Sequence, residues 1–266
     1  MDNRPIGVFD SGFGGLTAVK ALRELLPEEN IVYFGDSGRA PYGQRPVSQL
    51  RQMARQDLEL LLSMDVKAVL AACGTVSSNA ADLLAACPVP VVGVLRPAVR
   101  EMCRLPGQEA LAVLATPASI ASAAFQRGIE EGCPGRELLA IACPDFVTLI
   151  ESGHHRTEDP LVKEAVARYL APVKEAGVRR LLLGCTHFGL IGEAIRAYLG
   201  EAELVSASHC AAQETRQELT ARQCLGCGGQ ERYFTSGEAD AFRRAAAVFL
   251  GGERELSVSA LPVMEV

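Results

Sequence analysis

The chain has 266 residues, 48% of them hydrophobic and 22% charged, which suits one large or two small globular domains and argues against intrinsic disorder. Its net charge of −6 argues against a nucleic-acid partner, because phosphate binding needs clustered Lys and Arg. Nine cysteines, an odd number, and an acid at position 2 where a secretion signal would want a cation predict a reduced, cytoplasmic protein with free thiols.

Short β-rich runs alternate with helical patterns from end to end, as in an α/β protein with mainly parallel sheets. In chain order, strands are expected over 5–9, 30–34, 68–72, 89–93, 110–115, 138–141, 180–183, 204–206 and 232–235. Helices are expected over 16–25, 47–63, 77–86, 120–131, 160–175, 189–199, 211–222 and 239–250. Pro27, Pro88, Pro106 and Pro134 fall where those elements must stop. The longest apolar stretch, 68–95, is interrupted by Asn79, Asp82, Pro88 and Pro90. It reads as two buried strands around a helix, so no membrane span is expected.

The first strand runs into the turn DSGFGG, beginning at Asp10. The turn lacks the full dinucleotide-binding spacing, and Asp10 stands where it would repel a phosphate. Glycines at a helix start free backbone N–H groups for a small carboxylate, and an acid beside them can meet an ammonium group. An anion site next to a cation site describes an amino acid. The loop 35–45, with Pro41, Tyr42 and Gly43, is longer than a plain connection needs.

The run KAVLAACGTVSSN then breaks at Cys73, and RLLLGCTHFGLI breaks in the same way at Cys185. Each cysteine lies between a strand and a helix start, where backbone N–H groups and the helix dipole favour a thiolate. Neither has a second cysteine close by, which excludes a local redox pair for both. His187 follows Cys185 by two residues and could exchange a proton with a substrate or polarise the thiol. Cys87, Cys103 and Cys133, near helix ends or turns, read as small apolar side chains. Cys224 and Cys227, with His209 and Cys210 upstream, could supply four zinc ligands, but the adjacent His209 and Cys210 cannot easily chelate one ion. A reducible thiol pair or plain loop residues is the preferred reading, and no metal is expected.

The pattern also repeats weakly. PIGVFDSGFGG and ALAVLATPAS are both apolar strands that end in a hydroxyl-bearing turn, and the cysteines follow 63 residues after Asp10 and 69 after Thr116. Two similar α/β lobes would each present one polar strand end and one cysteine strand end, and the four loops could then converge on a cleft at the carboxyl ends of the strands.

The blocks FDSGFGGL, GDSGRAPYG, Cys73 with Thr75, ATPAS, LGCTHF and TSGE occur in this order over residues from about 5 to 250. Together they resemble bacterial glutamate racemase, of the cofactor-independent aspartate/glutamate racemase superfamily. The resemblance implies an active site between two α/β lobes, 1–96 plus 208–266 and 97–207. It implies an isomerase that needs neither metal nor pyridoxal phosphate, takes glutamate, supplies D-glutamate for peptidoglycan and forms a homodimer. Racemisation removes the α-hydrogen from one face and returns a proton to the other, so two residues on opposite faces solve the geometry. Identical residues suit mirror-image substrates, and thiols have a pKa that can be shifted close to working pH.

By the same resemblance, Cys73 would act on the D-enantiomer and Cys185 on the L-enantiomer. Asp10 and His187 would assist them, and Glu151 matches a further acid. Ser11, Pro41, Tyr42, Gly43, Gly74, Thr75, Thr116, Ser119 and Thr186 match positions that hold the substrate. The chain departs from the family at Gly74, where an asparagine amide normally helps to hold the substrate. Such a contact is worth ~1.5–3 kcal/mol, and a water or Asn79 is expected to replace it. Gly189 stands for a proline, Ser206 or Ser208 for an acid, and Arg96 and Val99 for the family's glutamate and glycine. These changes keep open a racemase of another amino acid such as aspartate, or a silent amino-acid-binding paralogue.

Overall fold

The computed structural model describes residues 1–104, 109–252 and 256–263. Pro106, expected to stop an element, lies outside them. Among the described residues ten strands form: β1 (Ile6–Asp10), β2 (Ile31–Gly35), β3 (Ala68–Ala71), β4 (Val91–Gly93), β5 (Leu111–Ala115), β6 (Leu138–Ala142), β7 (Arg180–Leu183), β8 (Glu203–Ser206), β9 (Glu231–Thr235) and β10 (Val258–Ala260). All nine expected strands are present. The tenth, β10, carries only three residues, two of them exposed, and has no apolar alternation to betray it.

The strands divide into a six-stranded sheet, ordered β10-β9-β2-β1-β3-β4, and a four-stranded sheet, ordered β6-β5-β7-β8. Every pairing is parallel. Burial on both faces explains the near-continuous apolar runs: IGVFD, AVLA and LAVLA are buried throughout. The second sheet repeats the strand order 2-1-3-4 found inside the first, so the weak repeat in the sequence is a repeat of topology. In each sheet the chain leaves the central strand toward one neighbour and returns on its other side. That reversal opens a crevice beyond the carboxyl ends of the central strands. In the first sheet it lies between β1 and β3, and in the second between β5 and β7.

Helices cover the sheets: α1 (Leu16–Leu25), α2 (Val47–Leu62), α3 (Gly74–Asn79), α4 (Ala81–Ala85), α5 (Leu95–Met102), α6 (Pro117–Ala121), α7 (Ala124–Gly132), α8 (Pro144–Glu151), α9 (Pro160–Glu175), α10 (Gly192–Leu199), α11 (Ala207–Ala221) and α12 (Ala239–Leu250). Their buried residues fall at helical spacing, as with Leu16, Val19 and Leu22 on α1 and Leu50, Met53, Ala54, Leu58 and Leu61 on α2. No helix among the described residues is long and apolar enough to cross a membrane.

Several helices differ from expectation. Leu95–Met102, assigned to no element from the sequence, forms α5, with Pro97 tolerated in its first turn. Pro144 likewise opens the unexpected α8. The single helix expected over 120–131 breaks at Ala123, whose φ of 54° is left-handed, giving α6 and α7. Residues 186–191 form a 3-10 turn before α10. The helix expected from 211 begins at Ala207, where the Ser206 side chain caps it by accepting from the His209 N–H at 3.3 Å. Residue 96 lies in the first turn of α5, and residue 208 in the first turn of α11. These two helices carry the chain between the sheets, and they pack against each other.

Candidate active site

The parallel pairing puts Asp10, Cys73, Thr116 and Cys185 at the carboxyl edges of β1, β3, β5 and β7, and all four line one narrow cleft between the sheets. Its free volume is ≈ 40 Å³. Larger cavities, of ≈ 450 Å³ beside β4 and ≈ 690 Å³ between α5 and α7, hold no comparable cluster. Ser11, Pro41, Tyr42, Gly43, Gly74, Thr75, Glu151, Thr186 and His187 also line the cleft. Ser119 does not: it is 1% exposed and sits behind Thr116, whose hydroxyl donates to it at 3.0 Å.

Cys73 terminates the β3 segment and stands at the head of α3, which starts at Gly74 rather than at 77. It is 3% exposed, and its thiol lies 3.7 Å from the Ser11 hydroxyl. Burial, reinforced by the negative charge of Asp10, pushes the thiol up to about 12. Asp10 is itself buried, which raises its carboxyl above the ordinary value, while His187 opposes the rise. The glycine turn was expected to offer its N–H groups to a ligand. Instead, Gly12 and Gly15 donate them to the Asp10 carboxylate, at 3.2 and 3.1 Å. The turn is further fixed by the Tyr33 hydroxyl, which donates to the Gly12 carbonyl at 2.8 Å. A side chain at Gly14 would collide with Thr186 and His187, so the turn is pressed against the second sheet.

Cys185 lies 3.8 Å from Nδ1 of His187, and Nε2 of the same ring is 2.9 Å from the Glu151 carboxylate. Burial disfavours the imidazolium, but the hydrogen bonds to Cys185 and Glu151 outweigh it and push His187 up to about 10. Glu151, which its sequence context alone would leave as a solvated charge, is thus tied into a chain from Cys185 through His187. The unexpected helix α8 delivers it.

Direct contact joins the two cysteine turns. A Cβ added at Gly74 would run into the Gly184 carbonyl and lie 3.9 Å from the Cys185 Cα. The missing asparagine therefore makes room for the opposite turn. Asn79 does not replace it: its amide donates to the Thr75 carbonyl, at 2.9 Å, inside α3. The Thr75 and Thr116 hydroxyls, 3.0 Å apart, bridge the two sheets on the same side. Tyr42 contributes to the wall, but its hydroxyl faces away, donating to the buried Asp36 carboxylate and lying 2.9 Å from Oδ2 of Asp57.

Ala40, Gln44, Pro117, Cys143, Pro144, Val147 and Thr148 complete the wall and were not anticipated. Cys143 sits at the end of β6, fully buried, with its thiol pushed up by burial and by Cys185. The position of Cys143 at a strand end before a proline was the one signal available. Among the described residues no group of three or more His, Cys, Asp or Glu is placed to hold a metal. Cys210 is buried in α11, Cys224 faces the Leu219 carbonyl, and Cys227 faces Asn3.

Residues 17–215 match the family of Asp/Glu/Hydantoin racemases. The chain is 38% identical to the glutamate racemase of Beutenbergia cavernae over 95% of this chain and 91% of that protein. It is also 38% identical to the glutamate racemase of Thermus thermophilus, over 98% of each. The crystal structure of glutamate racemase from Francisella tularensis in complex with D-glutamate superposes with a TM-score of 0.90, at 33% identity and 98% coverage of both chains. The chain belongs to the Asp/Glu/hydantoin racemase family, among its glutamate racemases, and is an amino-acid racemase, an isomerase.

Proposed function

We propose that the chain interconverts L- and D-glutamate by a two-base mechanism, with Cys73 and Cys185 on opposite faces of the α-carbon. The observation that carries this reading is the contact between the two cysteine turns, which leaves a narrow gap walled by one thiol from each sheet. From L-glutamate, the Cys185 sulfur takes the α-proton and the Cys73 thiol returns a proton to the other face. A thiol held up to about 12 rests protonated, which is the form that step requires. From D-glutamate the roles exchange, with Asp10 beside Cys73 and His187 beside Cys185 assisting.

Glu151 positions His187, and the Thr75–Thr116 pair, Ser11, Thr186 and the 41–43 loop hold the substrate. Ser119 supports Thr116 from behind. The same reading places the boundary between lobes at about 96 and 208, the first turns of α5 and α11. It further assigns the chain to a cytoplasmic homodimer that supplies D-glutamate for peptidoglycan.

The test is incubation with L-glutamate, and separately L-aspartate, in deuterium oxide, following optical rotation and α-hydrogen exchange. Racemised glutamate carrying deuterium is the expected result. Turnover of aspartate alone would change the substrate and keep the mechanism. Silence on both would leave an amino-acid-binding paralogue.

A further inference from the structure

Outside the cleft, one pair of thiols is placed for chemistry that the racemase reading does not use. Cys103 follows the last residue of α5 and Cys133 the last residue of α7. Their sulfurs are 2.6 Å apart, only ~0.6 Å beyond an S–S bond. They lie 30 residues apart in sequence, so neither a CxxC pattern nor helical spacing announces them. Gly132 makes the approach possible, because a Cβ there would lie 2.9 Å from the Cys103 sulfur. Both thiols are half-buried, and Cys103 borders the ≈ 690 Å³ groove between α5 and α7, which gives a small oxidant a path to the pair.

We infer that Cys103 and Cys133 form a reversible disulfide when the chain meets a peroxide. One thiolate attacks a peroxide oxygen, giving a sulfenic acid and one water. The second sulfur then displaces the sulfenic oxygen, which leaves as a second water while the S–S bond forms. The two thiols lose two electrons and two protons, and the peroxide gains both.

The helix that would be tethered gives the bond its consequence. α5 follows β4 of the first sheet, precedes β5 of the second, and packs against α3, α7 and α11. Its C-terminal carbonyls are already held by Arg180 of β7, which donates to the Glu101 carbonyl at 2.8 Å. A covalent bond to α7 locks the connecting helix to the second sheet.

The experiment treats the full chain with hydrogen peroxide, caps residual thiols with N-ethylmaleimide, and maps the unreduced tryptic peptides by mass spectrometry. A linked Cys103–Cys133 peptide pair, two hydrogens lighter than the separate peptides and reversed by dithiothreitol, is expected. Closing a loop of this length should raise the melting temperature by roughly 5–10 °C, a gain absent from both Cys103→Ser and Cys133→Ser. Full capping of both cysteines after oxidation, a dominant link elsewhere such as Cys224–Cys227, or an unchanged melting temperature in the linked protein would overturn the inference. None of these readouts depends on racemase activity.

Discussion

Replacing Gly74 by alanine tests the geometry on which the proposed chemistry depends. A Cβ at position 74 would lie well inside 3.0 Å of the Gly184 carbonyl oxygen, whereas ordinary contact begins at 3.4 Å. Neither partner yields cheaply. The Gly184 N–H is bonded to the Leu114 carbonyl at 2.8 Å, and the carbonyl of Cys73 is held by the Ser77 N–H at 2.9 Å. The two turns must separate by about 1 Å, and a displacement of that size between reacting groups costs ~10²-fold in rate. Overpacking a tight contact should also cost about 1–3 kcal/mol of stability.

Initial rates by polarimetry, together with thermal melts, check both. The enantiomers have equal free energy in solution, so kcat/KM must fall by the same factor in either direction. Gly74→Asn sharpens the test. It restores the amide expected by resemblance, worth ~1.5–3 kcal/mol of binding, yet carries the same Cβ, and it should be slower than the parent chain. Unchanged rates and melting in Gly74→Ala, or a faster Gly74→Asn, would refute the reasoning.

Cys73→Ser and Cys185→Ser should each abolish racemisation by ~10³-fold or more, as expected for loss of an essential acid or base. Residual racemisation near the parent rate in either variant would exclude a two-base mechanism. The His187 value of about 10 lies above its ordinary 6.5, so the stabilisation from its charged form is complete below pH 6.5 and is lost as pH rises toward 10. Melting temperature should therefore fall over that range, and fall less in Glu151→Gln, which lacks the carboxylate at 2.9 Å. An identical fall in both proteins would show that Glu151 does not hold the imidazolium. At the amino ends of the strands, Lys67 pairs with Glu29, both side chains nearly inaccessible at 1% and 2%. Lys67→Met leaves that carboxylate buried without its partner, and denaturant unfolding should register a loss of about 3–5 kcal/mol. A loss under 1 kcal/mol would mean that water reaches the pair.

The sequence by itself determined what depends on local pattern. Buried parallel strands appear as apolar runs such as AVLA and LAVLA, and nine of the ten strands, including less buried ones, were legible because turn residues bound them. The hydroxyl and cysteine strand ends were also visible as abrupt changes in polarity. Helix starts were less legible at Gly74, Leu95, Pro144 and Ala207, where glycine, proline or a serine cap conceals the boundary.

Tertiary structure decided whatever depends on residues distant in the chain. The carboxylate accepting from the Gly12 and Gly15 N–H groups proved to be Asp10, because the turn folds back on the strand that precedes it. Glu151 gained its partner only when α8 swung it 36 positions along the chain to His187. Gly74 looked like a lost hydrogen bond and proved to be the point where two turns touch. Ser119 matched a substrate-holding position yet was placed behind Thr116. In each case the deciding quantity is a separation of a few ångströms between elements. Periodicity and composition set which face of an element is buried, but they do not set which other element lies against it.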